Sequence, residues 1–147
     1  MRELRFEGKG LTFIQPWASA IAFAGKDIEN RTWRTHYRGP LAIHAGGKLN
    51  RDQLQELRRT VRGGEKRPLM DWINRGRRGY GLAAQESPET SHIVAIAMVA
   101  GCVEKSPSLW HDRGYWGWVI AGVVPIEPIS WIGGQNLWDC RFKYSLP

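Results

Sequence analysis

The sequence predicts a mixed α+β fold: a small, partly open β-barrel with short helices and one basic helical insertion. Three observations lead to this prediction. Most of the β-prone runs are short and bounded by glycine or proline, which is typical of small barrels. Few stretches repeat apolar residues at helical spacing. A length of 147 residues, with 42% hydrophobic and 24% charged residues, fits one globular domain over residues 1–147.

The first third of the chain combines strand and helix signals. Residues 11–15 form a β-prone run that ends at Pro16, and proline suits the first turn of a helix. Apolar residues then recur at helical spacing as far as Gly25, a residue type that favours the end of a helix, so we expect a helix over 16–24. Two β-prone runs follow around a turn at 35–39, which predicts a β-hairpin over about 27–45.

The middle of the chain is helical and strongly basic. Asn50 can cap a helix that continues to Val61, so we expect a helical insertion over residues 50–78. Between residues 58 and 78 there are eight basic and two acidic residues, a local net charge of +6 in a chain whose net charge is +7. We expect the eight basic residues to bind nucleic acid: Arg58, Arg59, Arg62, Lys66, Arg67, Arg75, Arg77 and Arg78.

The last third returns to strands. Residues 92–103 are almost continuously apolar and rich in β-branched side chains, which predicts a strand buried on both faces. Residues 115–121 and 123–126 form two more β-prone runs. Pro125 and Pro128 indicate that the second run lies at an edge or corner of the sheet.

Charge and composition favour an anionic partner. Lysine and arginine number 21 against 14 acidic residues, and fifteen of the 21 are arginine, whose guanidinium group binds phosphates bidentately. The apolar runs are too short to span a bilayer and the first residues lack the apolar stretch of a signal peptide, so we expect a cytoplasmic protein without a membrane partner. Four histidines and two cysteines show no paired ligand spacing, so we expect no metal and no cofactor.

Three ordered motifs resemble the ASCH domain, a family related to the PUA fold. They are Gln15–Pro16–Trp17, the run GKDIENRTW at 25–33 and the run YRGPLAIHA at 37–45. The strand around Trp116–Trp118 and the ending at 134–138 also look like closing elements of the family. The resemblance implies a PUA-like β-barrel with a cleft between the barrel and the helices.

The resemblance implies RNA or a nucleoside as the partner, because family members are linked to RNA binding. It places the ligand in a cleft lined by Lys26, Glu29 and Arg31. Some small bacterial members are described as amidohydrolases of N4-acylated cytidine or as ribonucleases. A metal-independent hydrolase that uses Lys26 and Glu29 is therefore the alternative. The basic segment favours a binding protein, whereas the motif around Lys26 favours a pocket.

Lys26 and Glu29 are the candidate catalytic residues. Lys26 falls on the position of the lysine that amidohydrolase-type members use, and a desolvated lysine can act as a nucleophile or base. Glu29 can act beside it as a general acid or base, although some of those members have threonine at the matching position. Two structural alternatives stay open: Lys26 at the negative end of a helix dipole, and Glu29 in an ion pair with Lys26 or Arg31.

Four further side chains are candidate ligand contacts: Trp17, Arg31, Arg38 and His44. A tryptophan in a cleft can stack on a base, and arginines can hold a phosphate or carboxylate in a bidentate fork. His44 can contact a ligand or act as a general base. In the alternative interpretation, Trp17 anchors the short helix in the core and His44 is a structural residue at a strand end.

We expect RNA affinity to fall steeply with salt, because binding to phosphates releases counterions. If six to eight basic side chains contact phosphates, log K against log salt should have a slope of about −4 to −6. Neutralising Arg75, Arg77 and Arg78 together should flatten that slope by about two to three units in RNA titrations. An unchanged slope would show that the segment is only a solvated helical face.

Overall fold

The computed structural model describes residues 3–53, 55 and 89–147. In these ranges the chain forms the following elements: β1 (Leu4–Gln15), α1 (Trp17–Phe23), β2 (Ile28–Arg31), β3 (Gly39–Leu49), β4 (His92–Val103), β5 (Trp116–Ser130) and β6 (Trp138–Tyr144). A helical turn also begins at residue 51, and no helix in these ranges is long and apolar enough to cross a membrane. The basic segment at 58–78 lies outside the described residues.

The strands form one mixed sheet in the order β2-β5-β4-β3-β1-β6. β1 and β3 run parallel, and every other neighbouring pair is antiparallel. Strand pairing among the described residues leaves β2 and β6 as the two edges, so the sheet is open and the predicted barrel is not confirmed. β5 and the end of β6 nevertheless approach each other near this opening. The N–H of Glu127 in β5 donates to the carbonyl of Ser145, the residue after β6, at 2.9 Å.

The predicted β-hairpin over 27–45 is wrong. β2 pairs with β5, with Ile28 opposite Val119, whereas β3 pairs with β1 and β4. Both runs do form strands, so the error concerns their partners and not their existence. Alternation in a sequence reports which face of a strand is buried and does not report which strand lies beside it.

The main core lies between the sheet and α1. Apolar side chains from β1, β3, β4 and β5 pack on one face against Ala18, Ile21 and Ala22 of the helix. The predicted helix at 16–24 is confirmed as Trp17–Phe23, and Gly25 has a φ of 74°, the left-handed conformation typical of the residue after a helix. The N–H of the next residue, Lys26, donates to the carbonyl of Ala20 at 3.1 Å, which fixes the direction in which the chain leaves α1.

The opposite face of the sheet carries a second apolar cluster. Phe6 of β1 stacks on Phe142 of β6 with ring centres 4.8 Å apart, and Ile93 and Ile126 are buried beside them. β4 therefore contributes buried side chains to both faces of the sheet: Ile93 belongs to this cluster, whereas the adjacent Val94 belongs to the main core. The prediction that β4 is buried on both faces is confirmed for its first half.

β5 is one strand of 15 residues where the sequence predicts two runs. Gly122, with a φ of 60°, lies at the junction of the two runs, and the pairing with β4 shifts register nearby. The pairing of β2 with β5 extends along β5 only as far as Val119. Pro125 and Pro128 therefore lie where the outer side of β5 is not paired with β2, in agreement with the predicted edge.

A methyl group at Gly10 would overlap the ring of Trp138, because these residues are opposite each other in β1 and β6. We expect Gly10→Ala to lower the free energy of unfolding by about 1–3 kcal/mol in denaturant titrations. Gly47→Ala is the matched control: the nearest atom to the added carbon is Ser91 Oγ at 3.7 Å, an ordinary contact. Equal losses in both variants would contradict the close approach of Gly10 and Trp138.

Candidate functional site

Lys26 lies where the chain passes from α1 to β2, and its side chain is only 4% exposed. Its Nζ is 4.0 Å from Glu29 Oε1. The same atom lies over two indole rings, 5.0 Å from the centre of Trp17 and 5.5 Å from that of Trp110. Both distances are within the range of about 6 Å over which a cation is attracted to an aromatic face. The ammonium group is therefore enclosed by two aromatic side chains and a carboxyl group.

Arg31 is held beside Glu29 by its own side chain. The two residues share a face of β2 because they are two positions apart. Arg31 Nε and Nη2 both contact Glu29 Oε2, at 3.1 and 3.0 Å. Nη2 also donates to the carbonyl of Thr12 at 2.9 Å, and the guanidinium lies over the ring of Phe13. Within the described part of the chain Nη1 makes no hydrogen bond, so this fixed guanidinium keeps donors for a ligand.

Glu29 is a buried carboxyl group, 8% exposed. Burial raises the pKa of Glu29 above its ordinary value, because removal from water disfavours the charged form. Arg31 and Lys26 act in the opposite direction and are outweighed. Glu29 thus keeps a proton to higher pH than an exposed glutamate, and a protonated carboxyl can donate as well as accept a hydrogen bond.

The loop between β4 and β5, residues 104–115, is fixed against β2 and carries Trp110. Asn30 Nδ2 donates to the Trp110 carbonyl at 3.0 Å, and the N–H of Asp112 donates to Asn30 Oδ1 at 2.8 Å. Trp110 is a site residue that sequence reasoning missed. The signal that could have revealed it is a large aromatic residue inside a polar loop, where neither helix nor strand periodicity explains it.

Trp17 is oriented by the segment that follows β3. Its Nε1 donates to Gln53 Oε1 at 2.7 Å, and the N–H of Gln53 donates to Asn50 Oδ1 at 3.0 Å. The second contact confirms Asn50 as a helix cap. Trp17 is half-buried, and its ring face lies toward Lys26. Gln53 is therefore a second residue at this site that the sequence did not indicate.

His44 is 3% exposed, and both of its ring nitrogens have partners within the protein. Nε2 is 2.7 Å from the carbonyl of Trp131, and Nδ1 is 3.0 Å from Thr12 Oγ1. Because a carbonyl only accepts, Nε2 carries a proton. Burial lowers the pKa of His44, so Nδ1 accepts from the Thr12 hydroxyl in the neutral ring. These contacts favour the structural interpretation of His44.

Arg38 is exposed and bonds to its own turn. Its Nη1 donates to the carbonyls of Thr35 and Tyr37 at 3.1 and 2.8 Å. The structure thus groups Trp17, Lys26, Glu29 and Arg31 around one point, whereas the side-chain hydrogen bonds of Arg38 lie within the turn before β3.

The eight basic residues predicted to bind nucleic acid lie outside the described residues. Among the residues that are described, no group of three or more metal-ligating side chains is placed to hold an ion.

The comparison with known families places this fold in the PUA-like class. The family model of the ASCH domain matches residues 11–127, which include the whole cluster from Trp17 to Arg31. Since this match covers most of the chain, the protein belongs to the ASCH domain family. No curated protein matches the chain. At the level of the family, membership supports an RNA-binding role.

The raised pKa of Glu29 predicts a pH-dependent stability. The native state holds this proton at pH values where the unfolded chain has released it, so the stabilisation is complete below the ordinary glutamate pKa of about 4.3 and is lost as pH rises toward the folded value. Glu29→Gln removes this titration. The unfolding free energy of the wild type minus that of the variant should therefore decrease as pH rises above about 4 in urea titrations.

The control for this measurement is Glu127→Gln, which alters an exposed glutamate in β5. We expect it to change stability by less than about 0.5 kcal/mol throughout the titration, as for most surface substitutions. A wild-type minus Glu29→Gln difference that grows with pH would contradict the direction assigned to Glu29.

Proposed function

We propose that this ASCH domain binds RNA by holding one nucleobase at the site around Lys26. The observation that carries the proposal is the convergence of two indole rings, two cationic side chains and a buried carboxyl group on a single point. Proteins that recognise single-stranded RNA stack unpaired bases on aromatic side chains and bond to the edges of those bases. The site offers both kinds of contact.

Each residue has a distinct role in this proposal. Trp17 and Trp110 supply flat apolar faces, and stacking of a base on such a face contributes about 1–3 kcal/mol. Arg31 supplies donors from Nη1 for a base carbonyl or ring nitrogen. Glu29 accepts from an exocyclic amino group, or donates when it is protonated. Lys26 adds a charged donor, which turns from the two rings to the base when the base stacks on them.

We further propose that residues 1–147 act as one domain in which the basic helical insertion at 50–78 binds the RNA backbone. This division of labour follows the general pattern of nucleic-acid recognition: cationic side chains bind phosphates without regard to sequence, whereas a pocket selects the base. The local charge of +6 between residues 58 and 78 supports it.

A hydrolase is the second candidate, favoured by the burial of Lys26 and Glu29 next to each other. Hydrolysis of an N4-acylated cytidine adds one water across the amide and yields cytidine and a carboxylic acid. A protonated Glu29 can supply the proton that the leaving amino group takes up, and Lys26 in its neutral amine form can act as base or nucleophile. The same pocket serves binding and hydrolysis, so both are tested on one variant.

Lys26→Met keeps the length of the side chain and removes the ammonium group. Because hydrogen bonds to charged groups contribute about 1.5–3 kcal/mol, affinity for RNA and for ribonucleosides should fall about 10- to 150-fold in titrations followed by tryptophan fluorescence. In a parallel incubation with N4-acetylcytidine, chromatography detects any cytidine formed. If the protein is a hydrolase, the variant should form it at least about a hundredfold more slowly.

Lys143→Met is the matched control, because Lys143 is an exposed residue of β6 whose partner is Glu3 at 2.9 Å. It should bind as the wild type does. Where Lys26→Met unfolds, Lys26→Met combined with Glu29→Gln tests the proposed site without leaving a buried carboxyl group next to the lost ammonium. A folded Lys26 variant with wild-type affinity would refute the proposed site.

A further inference from the structure

A pocket with a volume of about 540 Å³ lies where β4 ends and β5 begins; it is called the second pocket to distinguish it from the proposed nucleobase site around Lys26. This volume falls within the range of about 300–1,000 Å³ that is usual for ligand pockets. Two aromatic residues, Tyr115 and Trp116, and two cationic residues, Lys105 and Arg113, contribute to its lining. Glu104 supplies the one carboxylate among the described lining residues.

The side chains of this pocket have the character of a single-strand binding surface. Tyr115 is 44% exposed, although it is a large aromatic residue. The guanidinium carbon of Arg34 lies 5.4 Å from the centre of the Trp116 ring, which adds a third cation beside the pocket. Lys105 and Arg113 are both exposed. Trp116 is only half-buried. An exposed aromatic ring beside a second, partly exposed one and next to cations suits a single-stranded nucleic acid, since each nucleotide has a flat base and a phosphate.

The pocket borders the site around Lys26 at one pair of residues. Trp116 is opposite Arg31 in the pairing of β5 with β2, and side chains of opposite residues in antiparallel strands lie side by side on one face. The loop at 104–115 also belongs to both places: it carries Trp110 over Lys26 and contributes Lys105 and Arg113 to the second pocket.

The shared loop is tied to the residue after Lys26 as well as to β2. The Ser108 hydroxyl donates to Asp27 Oδ1 at 2.5 Å, in addition to the two hydrogen bonds of Asn30 to the loop. These contacts anchor the one segment that contributes to both places. Arg31 and Trp116 therefore lie side by side between the Lys26 site and the second pocket.

We propose that the second pocket holds the nucleotide adjacent to the base bound beside Lys26 in a single-stranded RNA. The adjacent base stacks on Tyr115 and Trp116, and its phosphate contacts Lys105 and Arg113. This inference rests on the proposed function and specifies the ligand further: the substrate class is a single strand of two or more nucleotides, and a free nucleoside occupies only the first pocket.

The test compares two ligands on the same variants, a randomised hexaribonucleotide and a mixture of the four ribonucleosides, titrated at several salt concentrations. Tyr115→Ala should weaken hexanucleotide binding about 5- to 150-fold, the equivalent of one lost stacking contact, and leave nucleoside affinity unchanged. Tyr115→Phe retains the ring and should bind as the wild type does. Lys105→Ala combined with Arg113→Ala should flatten the salt slope by about 0.7–1.4 units. Lys143→Ala, which alters an exposed lysine of β6, is the charge control.

The outcomes separate this inference from the proposed function. Wild-type hexanucleotide affinity in Tyr115→Ala, together with weakened binding in Lys26→Met, would overturn the second pocket and leave the first in place. Equal weakening by Lys143→Ala and by the double variant would overturn it too, because the effect would then be a general loss of charge. If the wild-type protein bound neither the hexanucleotide nor the nucleosides, both proposals would be overturned.

Discussion

The burial of Glu29 between Lys26 and Arg31 is the interaction on which the arrangement of this protein depends. Taking charged groups out of water is costly, so such a cluster persists only where each member is fixed by its surroundings. Here Arg31 is bound to a carbonyl of β1, and the N–H of Lys26 to a carbonyl of α1. The short strand β2 thus meets the first strand, the helix and β5 at one point. Loss of one partner from a buried ion pair typically costs about 3–5 kcal/mol, and a similar loss here would loosen three elements together.

The same cluster supports the proposed binding function of this region over a purely structural role. Well-packed apolar side chains stabilise a core at least as well as buried ion pairs do. The apolar cluster around Ile21 and Leu41 already supplies such a core beneath α1. A core of this kind does not need polar groups at the adjoining edge, but such groups offer donors and acceptors fixed in direction before any ligand arrives. A site with fixed groups binds more tightly because less side-chain freedom is lost on binding.

The elements that could be predicted from the sequence are those set by nearby residues. The helix at Trp17–Phe23 follows from the helical spacing of apolar residues and from the glycine that ends it. The strand at His92–Val103 follows from a continuous run of apolar, β-branched residues. The strand that pairs with each strand could not be predicted. β2 pairs with a strand about 90 residues later, and the alternation of side chains within β2 is the same for any neighbouring strand. Lys26, Glu29 and Arg31 were identified through one continuous motif. Trp110 reaches the site from a distant loop, and the bonds that place it there run through Asn30, whose role no local pattern reveals.

The pairing of β6 with β1 has a consequence for how the protein is made. A ribosome releases β1 first and β6 last of the described strands, so one side of β1 has no permanent neighbour through most of synthesis. Leu4 to Gly10, the part of β1 that β6 finally covers, presents a row of unpaired N–H and C=O groups during that interval. Such an open strand edge can recruit strands of other chains. The charged residues Arg5, Glu7 and Lys9 alternate along this segment, and alternating charge of this kind protects a nascent edge from aggregation until the last strand arrives.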